Sequence, residues 1–196
     1  MPANRVPTTR RCWWSSTGAP EASRHPARRR AVQWLFAAAC RPTPLTALEV
    51  TLDWDYPHPY TLAVTPAAGD IDGLDHTNNA VYIRWCEQAG WAHSEQLGLS
   101  LDDYRRLDRA MAIRRGEYDY LLPTLLGEAL TLATWLVAGD GKLAMERRFQ
   151  LVRDSDGATV LRGRWDLVCI EISSGRARRM PAEFVDTYMP AVAKAS

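Results

Sequence analysis

The chain has 196 residues, 46% of them hydrophobic and 24% charged, with a formal net charge of +1. This composition is ordinary for a globular protein, and the length predicts one domain with an appended segment. The four cysteines form no C-x-x-C pair and the four histidines are widely scattered, so we expect no metal site.

The first 45 residues differ in charge from the rest of the chain. Residues 1–45 hold eight arginines against one acid, Glu21, and lack helical or strand periodicity, so we expect a disordered extension. An apolar run after Arg28–Arg30 has the outline of an export signal, but it lies far from Met1 and is too short to cross a bilayer. No nucleic-acid-binding motif accompanies the arginines. We therefore predict binding to neither nucleic acid nor membranes.

A polar loop that leads into a long helix follows the first predicted strand. The folded domain is predicted over residues 46–190, and its first strand over residues 58–65. Apolar residues then recur at helical spacing from Asn79 to Leu97, and Gly98 ends this helix. The polar residues of the loop are Asp70, Asp72, Asp75, His76, Asn78 and Asn79. The apolar stripe of the helix comprises Tyr82, Trp85, Cys86, Ala89, His93 and Leu97.

The remainder of the domain predicts a short helix and four strands. A capping box from Ser100 to Asp103 opens a helix over residues 102–109. The period of the apolar residues then changes to two, with a bulge expected at Gly116. Hairpin turns are predicted at Asp140-Gly141 and Asp156-Gly157. The predicted strands cover residues 111–122, 130–136, 143–151 and 161–169. We therefore predict an α+β fold in which an antiparallel meander of four strands covers the long helix.

The start of the long helix combines two complementary chemical groups. Unpaired amides at a helix N-terminus carry partial positive charge and can hold an oxygen that becomes negative. A carboxylate a few residues upstream can act as a base or a nucleophile. Acyl transfer needs both groups. On composition alone, however, Asp70, Asp72 and Asp75 are better explained as turn formers and helix-dipole partners.

A longer motif favours the catalytic interpretation. The run Asp72-Gly-Leu-Asp-His76-Thr-Asn78-Asn79-Ala-Val-Tyr82 resembles the D-x-x-G-H-V-N-N-x-x-Y signature of hotdog-fold acyl thioesterases of the 4-hydroxybenzoyl-CoA thioesterase type. The loop is also similar to that of plant acyl-carrier-protein thioesterases. Tyr120-Leu-Leu-Pro123 with Gly127-Glu128, and Gly175 to Pro181, resemble later segments of the family. Asp75 stands where the family often has Gly, and Leu74 where the plant enzymes carry Asn.

The resemblance implies roles for the residues of the loop. Asp72 matches the family's catalytic carboxylate, which attacks the thioester carbonyl or deprotonates the attacking water. Asn79 matches the position whose backbone N–H polarises the carbonyl oxygen. His76 is expected either to contact the substrate or to hold the loop, and Asn78 to brace the loop beside the substrate. Tyr82 is expected to line the substrate site.

Three residues outside the loop are further candidates for substrate binding. Glu87 lies on the helix, where it is either an acid behind the site or a partner for an arginine. Arg114 and Arg115 suit the phosphates of CoA, although arginines on exposed strands are also common.

The resemblance implies a hydrolase that converts an acyl thioester into a carboxylic acid and a free thiol. It needs no cofactor, since coenzyme A is part of the substrate, and its partner is an acyl-CoA or an acyl-carrier-protein thioester. A non-catalytic acyl-thioester sensor or scaffold and, more weakly, a hotdog hydratase are the alternatives. The exposed edges of the predicted sheet favour a homodimer or homotetramer. Cys86 and Cys169 fall on predicted apolar faces, which fits a reducing, cytoplasmic environment.

Overall fold

The structure is a computed structural model and describes residues 52–193. The predicted extension of residues 1–45 and its export-signal-like run lie outside the described residues. Within the described part, the strands are β1 (Tyr60–Val64), β2 (Arg109–Tyr120), β3 (Leu130–Gly139), β4 (Ala144–Arg153) and β5 (Thr159–Glu171). The α-helices of this part are α1 (Asn79–Gln96), α2 (Leu101–Leu107) and α3 (Ala182–Tyr188), and a single 3-10 turn covers Ala68–Asp70. None of these helices is both long and apolar enough to span a bilayer.

The five strands form one antiparallel sheet in the order β1-β3-β4-β5-β2. The predicted meander is confirmed for β3, β4 and β5, which the two tight Asp-Gly turns connect. It was wrong for β2, which pairs with β5 at the far edge, Met111 opposite Cys169 and Tyr120 opposite Leu161. The alternation of apolar residues identifies a strand but not its neighbour, and the nine-residue connection after β2 is long enough to cross the fold.

Helix α1 packs against one face of the sheet through the apolar stripe that the sequence predicts. Cys86 and Ala89 are completely buried in the core, while Leu97 at the C-terminal end is half-buried. The side chain of Asn78 caps the helix, and Gly98 follows its last turn with a φ of +101°. This left-handed conformation favours glycine, so the predicted end of the helix is confirmed.

Two local features differ from the sequence-based expectations. The bulge in β2 lies between Ile113 and Arg115, whereas Gly116 stays in register opposite Trp165. A Cβ atom on Gly116 would lie 3.3 Å from the ring of Tyr118, so this glycine makes room for an aromatic side chain. Helix α3 was not predicted, because seven residues are too few to establish a helical period.

Replacing Phe149 with alanine should lower the free energy of unfolding by about 3–5 kcal/mol, because it leaves a cavity in the core. Phe149 is 2% exposed and packs edge-on against Trp165 at 4.6 Å between ring centroids. Urea unfolding measures the change. The control Leu101→Ala, at an exposed position of α2, should change stability by less than about 0.5 kcal/mol. Equal effects of both substitutions would contradict this assignment of the core.

Candidate active site

The polar loop before α1 is closed on itself by main-chain hydrogen bonds. Ile71 and Thr77 form an antiparallel bridge, and the N–H of Asp72 donates to the carbonyl of His76 at 2.8 Å. Asp75 adopts a φ of +61°, in the left-handed region that suits glycine. The signature that the loop resembles often has glycine at this position. These main-chain hydrogen bonds fix the position of Asp72 in the loop.

Buried hydroxyl groups tie the loop to the chain segment that follows β2. Thr77 donates its backbone N–H to the carbonyl of Thr124 at 2.9 Å, and its hydroxyl to the same oxygen at 3.1 Å. The hydroxyl of Thr124 lies 2.7 Å from that of Thr77 and 2.8 Å from that of Tyr82. Each hydroxyl finds a partner if Tyr82 donates to Thr124 and Thr124 donates to Thr77. The loop, the first turn of α1 and residue 124 thus meet at one point.

The three aspartates of the loop differ in their environments. Asp70 accepts the N–H of Ala67 at 2.9 Å and pairs with Arg84. The hydrogen bond from Ala67 and the guanidinium of Arg84 lower the pKa of Asp70 below its usual value. Asp75 is exposed to solvent. Asp72 is half-buried, accepts the N–H of Leu74 at 2.8 Å through Oδ1, and is the one of the three that lines a cleft.

The first amides of α1 are only partly satisfied. The side chain of Asn78 accepts the N–H of Ala80, and its carbonyl accepts the N–H of Val81, both at 2.9 Å. The N–H of Asn79 has no hydrogen-bond partner among residues 52–193. Because α1 has 18 residues, the amides at its start carry a substantial share of the partial positive charge of the helix dipole.

Asp72 and Asn79 line the same cleft, which has a volume of about 280 Å³ and which we call the loop cleft. Its walls are formed by Asp72, Leu74, His76, Thr77, Asn79, Tyr82, Tyr120, Leu121, Leu122 and Pro123. One side is therefore polar and the other, from the end of β2, is largely apolar. A carboxylate and an unpaired amide beside an apolar wall can take part in acyl transfer to water.

Sequence reasoning did not assign the apolar wall to the site. Leu121 and Leu122 are 47% and 42% exposed, so they offer accessible apolar surface beside Asp72. The available signal was the segment Tyr120-Leu-Leu-Pro123, which resembles a family segment but carries no reactive side chain. This segment lies near the loop because the adjacent Thr124 makes a buried contact with Thr77, which is 47 residues away in sequence.

The predicted site residues divide into two groups in space. Asp72, His76, Asn79 and Tyr82 line the loop cleft, although the hydroxyl of Tyr82 is engaged by Thr124. The side chain of Asn78 serves as the helix cap.

Glu87, Arg114 and Arg115 do not line this cleft. Glu87 lies eight residues further along α1, about 12 Å from its first residue, beside a different cavity. Arg114 lies 3.9 Å from Asp166, and Arg115 pairs with Glu117 on the exposed part of β2. Among the described residues, no group of three or more His, Cys, Asp or Glu side chains is arranged to hold a metal ion.

A family model described as the thioesterase-like superfamily matches residues 66–187. The match extends from the loop to α3 and includes every residue of the loop cleft. The chain belongs to this superfamily. The resemblance carried by the loop motif is thereby confirmed, and with it the expected hotdog fold, a sheet packed around a long helix.

Individual proteins of known sequence or structure are similar to this superfamily member. Protein THEM6 of Danio rerio is 37% identical over 89 residues, which are 45% of this chain and 43% of that protein. A hypothetical protein from Staphylococcus aureus, solved in complex with CoA, has a TM-score of 0.64 at 18% identity, covering 74% of this chain and 92% of that one. A 1,4-dihydroxy-2-naphthoyl-CoA thioesterase from Synechocystis has a TM-score of 0.58 at 15% identity, covering 65% of this chain and 95% of that one. At these identities the two structures establish the fold alone.

Replacing Thr124 with valine should destabilise the protein by about 1–3 kcal/mol, because it leaves the buried hydroxyl of Tyr82 without a partner while keeping the side-chain shape. Urea unfolding measures this loss. The matched control is Thr61→Val on β1, where the side chain is exposed and the change should stay within about 0.5 kcal/mol. If T124V were as stable as T61V, the hydroxyl cluster would not be what holds the loop.

Proposed function

We propose that this protein is an acyl-CoA thioesterase whose active site is the loop cleft. The observation that carries the proposal is the presence of a half-buried carboxylate, Asp72, and an unpaired helix amide, that of Asn79, in one cleft. The thioester would lie with its carbonyl oxygen toward the amide of Asn79. Its acyl group would contact the apolar wall formed by Leu121 and Leu122.

In the proposed reaction, negative charge develops on the carbonyl oxygen as the tetrahedral intermediate forms. The N–H of Asn79 donates to this oxygen, and the dipole of α1 adds to the stabilisation. Asp72 either takes a proton from the attacking water or attacks the carbonyl itself, in which case water hydrolyses the resulting anhydride. Both routes end with a carboxylic acid and a free thiol. Of the two aspartates Asp70 and Asp72, Asp72 is the candidate for either role, because Asp70 already pairs with Arg84.

Support for a CoA thioester comes from the proteins with the same fold. One was solved in complex with CoA and another is a CoA thioesterase. Arg114 and Arg115 remain candidates for the phosphates of CoA, since both are exposed, at 72% and 66% of their side-chain surface. His76 is exposed and lines the loop cleft, where it can contact the thioester.

The proposal predicts that the purified full chain releases thiol from at least one class in a panel of short, long and aromatic acyl-CoAs. The near-isosteric change Asp72→Asn should reduce this activity at least about 100-fold, as expected for loss of a catalytic base. The control is Asp75→Asn, which changes the same charge at an exposed position of the same loop and should leave most of the activity. Binding of acyl-CoA without thiol release by the wild type would indicate the sensor instead. Equal activity of wild type and D72N would contradict the role of Asp72.

We also propose that the protein forms a homodimer through β2. In the described part of the chain the outer edge of β2 has no strand partner, and unpaired edges with accessible apolar residues favour association. Ile113 on this strand is 49% exposed, and Tyr120 at its end is 42% exposed.

Light scattering on the full chain should give a mass about twice that of the 22.0 kDa chain. Ile113→Lys should shift the protein toward the monomer, because a lysine on an edge strand opposes strand pairing. Leu101→Lys, at an exposed position of α2, should leave the mass unchanged. A monomeric wild type would overturn the proposed dimer without affecting the assignment of the loop cleft.

A further inference from the structure

The described structure contains a buried positive charge that the proposed mechanism does not use. Arg147 on β4 is 3% exposed. Its Nη1 atom lies 3.0 Å from Nδ1 of His93 and donates to the hydroxyl of Thr134 at 3.2 Å. No carboxylate of residues 52–193 lies within 4.0 Å of its guanidinium. Burying an arginine without an anionic partner costs free energy, and binding of an anion would offset this cost.

The other titratable groups around Arg147 do not neutralise it. Burial, and secondarily the charge of Arg147, lower the pKa of His93 to about 4, so this histidine is neutral near pH 7. Burial raises the pKa of Tyr104 and of Tyr188, whose hydroxyls pair with each other. Burial lowers the pKa of Arg147 itself only to about 10. The guanidinium therefore keeps its charge among neutral neighbours.

Arg147 lines a cavity of about 300 Å³ between α1 and the sheet. Most of the wall is apolar and includes Trp91, Met111 and Leu167, with the hydroxyls of Ser94, Tyr104 and Tyr188 near the charge. Glu87 is the single carboxylate among the lining residues, and it is exposed. An apolar cavity with one buried cation matches an apolar group that carries an anion at its end.

Gly90 on α1 lines this cavity between Trp165 and Arg147. A Cβ atom at this position would lie 3.3 Å from the ring of Trp165 and 3.9 Å from Nε of Arg147. Glycine inside a helix lowers helix stability, and here its absence of a side chain lets the ring of Trp165 lie close to the helix beside Arg147. Gly90 lies 11 residues after Asn79, which places it about 16 Å along the helix from the proposed oxyanion-binding amide.

We propose that this cavity binds an apolar group that ends in a carboxylate, with Arg147 as the counter-ion. The carboxylate belongs either to the far end of an acyl group whose thioester lies in the loop cleft, or to a free carboxylic acid. The first source rests on the proposed function and makes dicarboxylic acyl thioesters the preferred substrates. The second source does not depend on thioester hydrolysis.

Calorimetric binding to the full chain tests the assignment with two matched pairs of ligands. The first pair is octanoate and 1-octanol. The second is nonanedioyl-CoA, with a free distal carboxylate, and nonanoyl-CoA, both measured in the Asp72→Asn background. In at least one pair the carboxylate should bind about 10- to 100-fold more tightly, as expected for hydrogen bonds to a charged group.

Three variants assign this preference to Arg147. Arg147→Met removes the charge at similar length and should abolish the preference, whereas Arg147→Lys keeps the charge and should retain part of it. Arg148→Met is the control on the same strand, because Arg148 is more exposed and pairs with Glu146. R148M should bind like the wild type, and circular dichroism establishes that each variant is folded.

The pair that shows the preference identifies the source of the carboxylate. Absence of a preference in both pairs, or its persistence in R147M, would overturn the assignment of Arg147. A preference without thiol release from any acyl-CoA would leave this assignment intact and contradict the hydrolase. Thiol release without a preference for the carboxylate ligands would leave the hydrolase intact and contradict the assignment of Arg147.

Discussion

The buried cluster of hydroxyl groups on Thr77, Thr124 and Tyr82 is the interaction on which the candidate site depends. It joins three segments that are separate in sequence: the polar loop, the first turn of α1 and the connection from β2 to β3. Because β4 and β5 lie between β3 and β2 in the sheet, that connection has to cross the fold. The contact with Thr77 fixes where it does so. This contact positions the apolar wall of the loop cleft relative to Asp72, together with the N–H groups of Leu121 and Leu122, which donate to the carbonyl of Val160 on β5.

The same arrangement places Asp72, but not Asp70 or Asp75, in the wall of the loop cleft. The main-chain bridge between Ile71 and Thr77 holds Asp72 toward the loop cleft. Asp70 lies before the bridge, where Arg84 of α1 holds its side chain. The helix cap by Asn78 satisfies one amide and leaves that of Asn79 free among the described residues. Position in the loop, rather than residue type, distinguishes these carboxylates.

The features that the sequence predicts well are those set by neighbours along the chain. The cap at Asn78, the stripe around Cys86 and the end at Gly98 all follow from local spacing and local backbone requirements. The loop motif likewise brings Asp72, His76 and Asn79 together because they are at most seven residues apart. For these elements, local propensity and the final fold agree.

The features that the sequence does not predict depend on distant contacts. The local sequence around Thr124 gives no sign of its role, which arises only because the fold places it against Thr77, 47 residues away. The alternation around Met145 and Phe149 places Arg147 on the buried face of β4, but the local sequence does not predict that its charge lacks a carboxylate partner there.

The most direct test of the central claim is to remove the amide hydrogen of Asn79 alone. Proline is accepted at the first helical position, and Asn78, with φ −60° and ψ 136°, already has the backbone that precedes proline. Asn79→Pro should therefore stay folded and lose on the order of 100- to 1000-fold in kcat for thiol release, while Asn79→Ala, which keeps the N–H, should stay close to the wild type. If a folded N79P variant were as active as N79A, the amide at the start of α1 would not be the group that stabilises the reaction.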